Sequence, residues 1–254
     1  MSPSLLVYPQ RIRHNIYEMI RVAGDANRLR PHVKTHKCRE IVALQMAQGI
    51  NKFKCATIAE AEMLAQCQVA DVLLAYQPTG PNISRLIQLM QHYPETNFSA
   101  LTDNLEALRY LEQQVSEATG LLGLCIDLDV GMHRTGILPG PAVLELKSHI
   151  QRSDYLQFRG WHVYDGHIRH SDLEQRKSEA QRALQSAWDL FSDDPAEEIV
   201  AGGSPTFPVH ALNSRLNLSP GTCLLWDQGY SKMLPDQQFK VAAALITRII
   251  SKPG

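Results

Sequence analysis

The sequence lacks any apolar stretch long enough to cross a bilayer. Its longest candidate, residues 241–250, is interrupted by Thr247 and Arg248, whereas a transmembrane helix needs about 20 predominantly apolar residues. The N-terminus has no basic segment followed by a long apolar core, so no secretory signal is read there. Nor is there an excess of either charge. Lys and Arg number 25 against 26 Asp and Glu, a formal net charge of −1. Such a balance leaves no electrostatic footprint for nucleic acid or an anionic membrane surface, and no partner of either kind is expected. Cysteine is sparse: Cys38, Cys55, Cys67, Cys125 and Cys223 are odd in number and form no C-x-x-C pair. They read as reduced core thiols of a cytoplasmic protein. Internal repeats, low-complexity tracts and charge blocks are missing too.

What is present fits one large domain. The chain has 254 residues, 44% hydrophobic and 20% charged, and α/β barrels occupy about 250 residues as a single unit. Short β-rich runs alternate with longer helical patterns, the signature of βαβ units and a parallel sheet. The runs are 29–34, 53–57, 71–77, 97–102, 121–130, 155–164, 197–201 and 223–227. Eight runs predict a (β/α)8 TIM-type barrel. Helix starts are signalled by Thr57-x-x-Glu60, Asp103-x-x-Glu106 and Ser171-x-x-Glu174, which resemble capping boxes, and Leu105, Leu108 and Leu111 follow at helical spacing. Residues 10–23 carry Ile12, Ile16, Met19 and Ile20 on one helical face. Beyond the eighth run, 241–251 reads as another strand, followed by Lys252-Pro253-Gly254. The expectation is a barrel over 1–240, with 241–254 as the start of a second, β-rich domain that is otherwise truncated.

In such a barrel the reactive groups stand at the C-terminal ends of the strands. The first run ends in Lys34, where burial would depress the pKa and favour the neutral amine that Schiff-base chemistry needs. The competing reading is a surface lysine at a strand end, and Lys37 falls in the following loop. After the seventh run, Gly202-Gly203-Ser204 offers unhindered backbone N–H groups, joined by the hydroxyls of Ser204 and Thr206. Loops after strands seven and eight are the usual phosphate cradle of this barrel, and backbone dipoles suffice for a phosphate. On their own these residues also fit an ordinary turn. His32, His36, His167 and His170 raise a metallohydrolase barrel as a further alternative, although strand periodicity puts His32 beside Lys34 and His36 already in the loop.

Six segments together, R-P-H-V-K-T-H-K (30–37), A-T-I-A-E-A-E (56–62), D-V-G-M-H-R-T-G (129–136), Y-D-G-H (164–167), G-G-S-P-T (202–206) and S-P-G-T (219–222), resemble the D-threonine aldolase and D-serine dehydratase family. That family belongs to the alanine-racemase-like, fold type III pyridoxal phosphate enzymes. The resemblance runs in order from about Ser4 to the end of the chain. It implies pyridoxal 5'-phosphate as cofactor, bonded covalently to Lys34, with Arg134 beside the cofactor's phenolic oxygen and Tyr164 facing its pyridine nitrogen. Gly202, Gly203, Ser204, Gly221 and Thr222 match the phosphate-binding backbone. Cys223 departs from the aromatic residue that many relatives carry after P-G-x.

The resemblance further implies a lyase acting on a β-hydroxy-D-amino acid, with a small amino acid as substrate and a homodimer as the full-length form. Its second domain supplies the ligands of a divalent metal, zinc or manganese. The metal is therefore expected only in the full-length enzyme, and no residue of this chain is assigned as a ligand. An amino-acid racemase of the alanine racemase type and a catalytically weak cofactor-binding barrel remain as alternatives.

Overall fold

The computed structural model describes residues 2–116, 119–191, 194 and 196–253. Met1 and Gly254, the outer residues of the two expected regions, lie outside it. Seven parallel strands form one curled sheet in chain order: β2 (Lys52–Cys55), β3 (Asp71–Leu74), β4 (Asn97–Thr102), β5 (Leu122–Leu128), β6 (Leu156–Val163), β7 (Glu198–Ala201) and β8 (Asn217–Leu218). Helices alternate with them, among them α1 (Pro9–Ala23), α2 (Arg39–Met46), α3 (Ile58–Gln66), α4 (Pro81–His92), α5 (Leu105–Glu112), α6 (Pro141–Arg152), α7 (Leu173–Gln185) and the short α8 (Phe207–His210). This is a TIM-type barrel arrangement. All of β5 is buried, as expected of a parallel strand covered on both faces.

The eighth position of the barrel is filled without a regular strand. Leu29 bridges Leu218 and His32 bridges Lys54, both in parallel. Arg30 N–H donates to Leu218 O (2.8 Å), His32 N–H to Pro220 O (3.0 Å), and Lys54 N–H to Pro31 O (2.9 Å). The segment thus joins both edges of the sheet. Pro31 has no N–H to give, and the run ends sooner than the expected 29–34: residues Val33–Thr35 form a 3-10 turn. The other terminal run is also corrected. Residues 223–227 are no strand; Thr222–Leu224 is a 3-10 turn, and Cys223, Leu224 and Trp226 are buried in the main core. An apolar run this short does not reveal its conformation by pattern alone.

Helix caps follow the expected chemistry with two shifts. Thr57 Oγ1 accepts from Glu60 N–H, and a Glu60 carboxylate oxygen accepts from Ala56 N–H. The expected caps Asp103 and Ser171 are displaced by one residue: Asn104 Oδ1 accepts from Ala107 N–H and Asp172 Oδ1 from Gln175 N–H. Either member of each pair carries a short oxygen, so the sequence alone did not decide between them. The 241–251 run contracts to β9 (Ala243–Ile246), which pairs antiparallel with β1 (Ser4–Val7), Ser4 opposite Ile246. Around it Leu5, Leu6, Leu245, Ile246, Ile249 and Ile250 are exposed. All five cysteines are free, but only Cys55, Cys125 and Cys223 are buried; Cys38 and Cys67 are half-exposed.

Strand alternation fills the barrel in layers. At its N-terminal end Arg30, fully buried, donates to Asp71 (2.6 Å) and Glu198 (2.7 Å), with Lys52 and Arg159 completing the network. Above it lie Leu73, Leu101, Cys125 and Val200, a small apolar cluster separate from the main core. Above that the interior turns polar again, with Lys54, Asp127 and His162. A bulge makes this possible in β6. Leu124 pairs with Phe158 and Cys125 with Gly160, leaving Arg159 as an extra residue. The extra residue resets the alternation, so Arg159 at the bottom and His162 at the top both face inward. Gly160 is required there, with φ at 137° and an added Cβ 2.0 Å from Glu198 O.

The bottom network makes a prediction about pH. Arg30 and its neighbouring cations outweigh burial and hold the Asp71 and Glu198 carboxyls below the usual carboxylate range. Their contribution is complete above the unfolded carboxyl pKa of about 4 and drains away as pH falls through the lower folded values. Arg30→Leu should lower stability near pH 7 by about 3 kcal/mol, since it leaves two half-buried carboxylates without their central partner. Urea unfolding should show that difference shrinking below about pH 4. A difference independent of pH would contradict this account.

Candidate active site

Two adjoining cavities open at the C-terminal end of the barrel. The larger, about 560 Å³, takes in Lys34, Lys54, Gln77, Arg134, His162 and Tyr164. The smaller is walled by Gly203, Ser204, Gly221 and Thr222, with Arg169 and Tyr230 at its side. His32, Lys34, Lys54 and Tyr164 line both. The C-terminal end of β6 and the loops after β5, β7 and β8 therefore converge on one place.

Lys34 stands in the 3-10 turn after the closing segment, where His32 Nδ1 accepts from its N–H (3.3 Å). Its side chain reaches the cavity from the rim rather than from a buried strand end. Even there desolvation, followed by the Arg134 guanidinium, pushes the amine below its ordinary pKa. Lys37 points elsewhere: its Nζ donates to Lys34 O (2.8 Å) and pairs with Glu60. Tyr164 lies beneath the two cations, with Arg134 Cζ 4.9 Å and Lys34 Nζ 5.8 Å from its ring centroid. Glycines make room for that ring. A Cβ on Gly166 would fall 2.3 Å from it and one on Gly203 would fall 3.2 Å away. The structure thus brings Lys34, Arg134 and Tyr164 together.

The glycine-walled pocket is organised by Ser204. Its hydroxyl accepts from Gly221 N–H (3.2 Å) and Thr222 N–H (2.9 Å), tying the loop after β7 to the loop after β8. A Cβ on Gly221 would lie within 3.2–3.3 Å of Thr35 Oγ1 and the His32 backbone, so the loop closely approaches the turn that bears Lys34. Gly202 lines neither cavity. It is buried with φ at 72°, and an added Cβ would strike His210, so its part is to turn the chain. Thr206 is likewise behind the wall, donating to Asp165 Oδ1 (2.8 Å), whose other oxygen meets His210 Nε2 (2.6 Å). The N–H groups of Gly203, Gly221 and Thr222 are engaged within the wall, on Thr206 Oγ1 and the Ser204 hydroxyl, and this small glycine-walled pocket with Arg169 at its side suits a phosphate. The amine and the aromatic ring beyond suit a flat aldehyde attached to it. Among the described residues no three His, Cys, Asp or Glu side chains converge to hold a metal ion.

The floor of the larger cavity is formed by residues outside the expected site set: Lys54, Asp127, Thr135 and His162. His162 Nδ1 donates to Asp127 Oδ1 (2.6 Å), and His162 Nε2 faces Lys54 Nζ at 3.3 Å. Thr135 Oγ1 donates to the other Asp127 oxygen (2.9 Å). Strand parity alone puts Lys54 and His162 on the inner face, without linking them to one another. In K-F-K-C the lysines alternate with apolar residues, and His162 shares parity with Tyr164. Arg169 and Tyr230 carried no comparable signal, because they reach the pocket from loop and helix positions.

Residues 7–227 match the family model described as alanine racemase, N-terminal domain. The chain is 28% identical over 235 residues to a D-threonine aldolase of an Arthrobacter species, covering 89% of this chain and 62% of that protein. It is 26% identical over 244 residues to a 3-hydroxy-D-aspartate aldolase of Paracoccus denitrificans, covering 91% and 62%. The chain thus spans about three-fifths of the length of these curated relatives. Among solved structures, a D-threonine aldolase from Filomicrobium marinum superposes with a TM-score of 0.86 at 26% identity, covering 96% of this chain and 68% of that one. An alanine racemase of Clostridium difficile shares the fold at 13% identity, with a TM-score of 0.73. With a family match over most of its length and the same barrel beneath it, this chain belongs to the alanine racemase N-terminal domain family.

Proposed function

We propose that this chain holds pyridoxal 5'-phosphate on Lys34 and forms the cofactor-binding barrel of a lyase for β-hydroxy-D-amino acids. One observation carries the reading: a lysine amine of depressed pKa, an arginine and a tyrosine share a cavity that runs into a glycine-walled, phosphate-sized pocket. The names of the relatives, an aldolase for D-threonine and one for 3-hydroxy-D-aspartate, support the substrate class. When bound, the cofactor would supply an aldehyde for the substrate amine and a sink for electrons released at Cα.

The chain's own residues divide the remaining work. Lys34 would hold the cofactor through its amine nitrogen, and desolvation keeps a larger share of that amine neutral and nucleophilic. Arg134 is placed to hold a phenolic oxygen as the anion, a charge-assisted contact. Tyr164 would help hold the cofactor's ring, with a phenol in place of a carboxylate. Gly203, Ser204, Gly221 and Thr222 bind the phosphate from backbone and hydroxyl, with Gly202 turning the loop. Lys34 is also the cavity-rim amine able to move a proton at the substrate's Cα, as loss of water requires. Retro-aldol cleavage instead calls for a base at the β-hydroxyl. The full-length protein as a homodimer, with a divalent metal on its second domain, belongs to the same reading.

Three outcomes are expected. Borohydride treatment of the protein loaded with pyridoxal phosphate should fix the cofactor on Lys34, read by peptide mass mapping; a label on Lys37, or on no lysine, refutes the assignment. Arg134→Ala should weaken cofactor binding by about 1.5–3 kcal/mol, the loss of one charge-assisted contact, and equilibrium dialysis checks it. An affinity equal to the unaltered protein's would remove Arg134 from the site. The full-length protein, incubated with D-threonine and D-serine, should release acetaldehyde and glycine from the former or ammonia and pyruvate from the latter. Formation of the L-enantiomer alone would make it a racemase.

A further inference from the structure

The larger cavity holds a second lysine that the cofactor reading does not use. Lys54 is 3% exposed, yet its side chain borders both cavities. It is placed there by the closure of the barrel, since Lys54 N–H donates to Pro31 O beside the His32 bridge. An amine buried so deeply ordinarily belongs to an ion pair. Lys54 has none among the described residues: its Nζ faces a histidine nitrogen rather than a carboxylate.

The direction of that contact follows from what lies behind it. Against burial, which raises it, the Asp127 carboxyl is held below its ordinary pKa by His162 and by hydrogen bonds from His162 and Thr135; as the carboxylate it can only accept, so it takes the Nδ1 proton of His162. His162 Nε2 then presents a lone pair to Lys54. Burial first, then Lys54, disfavour a second proton on His162. The chain Lys54–His162–Asp127 therefore carries one mobile proton, and its outer end is the Lys54 amine.

Resting on the cofactor reading above, we infer that Lys54 is a second functional amine of the site, a proton-holding group whose charge is reciprocal to that of Lys34. With Lys34 cationic, Lys54 gives up its proton first. With Lys34 holding the cofactor and no longer a free cation, and the cofactor's anionic groups bound, Lys54 would take up a proton from solvent and stay charged. The groups that bear on its charge are known from each side: Lys34 and Arg30 from the closing segment disfavour it, while Asp127 of β5 and Asp165 after β6 favour it. His32 and His162, both disfavoured as cations by burial and by Lys54 itself, do not replace it. Desolvation and the nearby Lys34 push Lys54 down to about 7, which leaves it able to change state in the working range.

Two measurements test this, and they separate it from the cofactor assignment. Trace acetylation of the cofactor-free protein across a pH series, read on the Lys54 peptide, should give a reactivity midpoint near 7. An ordinary lysine midpoint, or no reaction at any pH, overturns the inference whatever binds at Lys34. In the loaded protein, the absorbance band of the Lys34-bound cofactor should titrate about one pH unit higher in Lys54→Met than in the unaltered protein, because a neighbouring cation has been removed. Lys54→Arg, which keeps the cation, should titrate like the unaltered protein. An unmoved midpoint in Lys54→Met sinks the reciprocal role. Failure of the cofactor to attach to Lys34 in the unaltered protein refutes the cofactor reading instead, and the acetylation series still decides on the buried amine. Should Lys54→Met fail to fold, the same series carries the test on the native chain.

Discussion

The site depends on how the sheet is closed. Seven strands leave one gap, and the segment from Leu29 to His32 fills it by sharing backbone hydrogen bonds with β8 on one side and β2 on the other. Because Pro31 interrupts the donors, this seam is a short strip rather than a full strand, and the chain leaves it in a tight turn that points Lys34 across the mouth. The same strip sets Arg30 into the floor of the barrel and His32 into its ceiling. A single stretch of backbone thus fixes the ionic base, the height of Lys54 and the position of Lys34.

The interior is economical in the same sense. A barrel of this size has few inward positions, and here the middle tier is small and apolar while both ends are charged. The apolar tier separates the two charged ends, so the carboxylates at the base and the amines at the mouth occupy distinct surroundings. The β6 bulge allows one strand to serve both ends by changing which of its residues face inward. Without it, Arg159 and His162 would lie on opposite faces.

Much of this was legible in the chain itself. The alternation of β-rich and helical runs gave the barrel, and six of its strands stand close to the runs that announced them. The two at the seam differ from their runs for a physical reason: one is broken by a proline, and the other is only two residues long, beside an apolar turn that packs in the core. Lys34, Arg134, Tyr164 and the glycine loops could be singled out because they sit in short motifs at strand ends. Lys54, Asp127 and His162 could not be weighed in that way. Their meaning arises from three strands distant in sequence, and a bulge no periodicity announces. Cap positions slipped by one residue where two adjacent short oxygens competed for the same amides.

The pairing of β1 with β9 has a mechanical side. Ser4 lies opposite Ile246, so the chain before the ribbon and the chain after it depart from the same end. A pull applied between those two ends would load the hydrogen bonds one after another, as a zipper is opened, instead of shearing them all at once. Behind the ribbon, Asn15 of α1 takes a different load, donating to Leu224 O and Lys240 O and accepting from Lys240 N–H. Force would therefore peel the ribbon at low tension and then stop at a buried amide clamp, leaving the barrel and its mouth intact behind it.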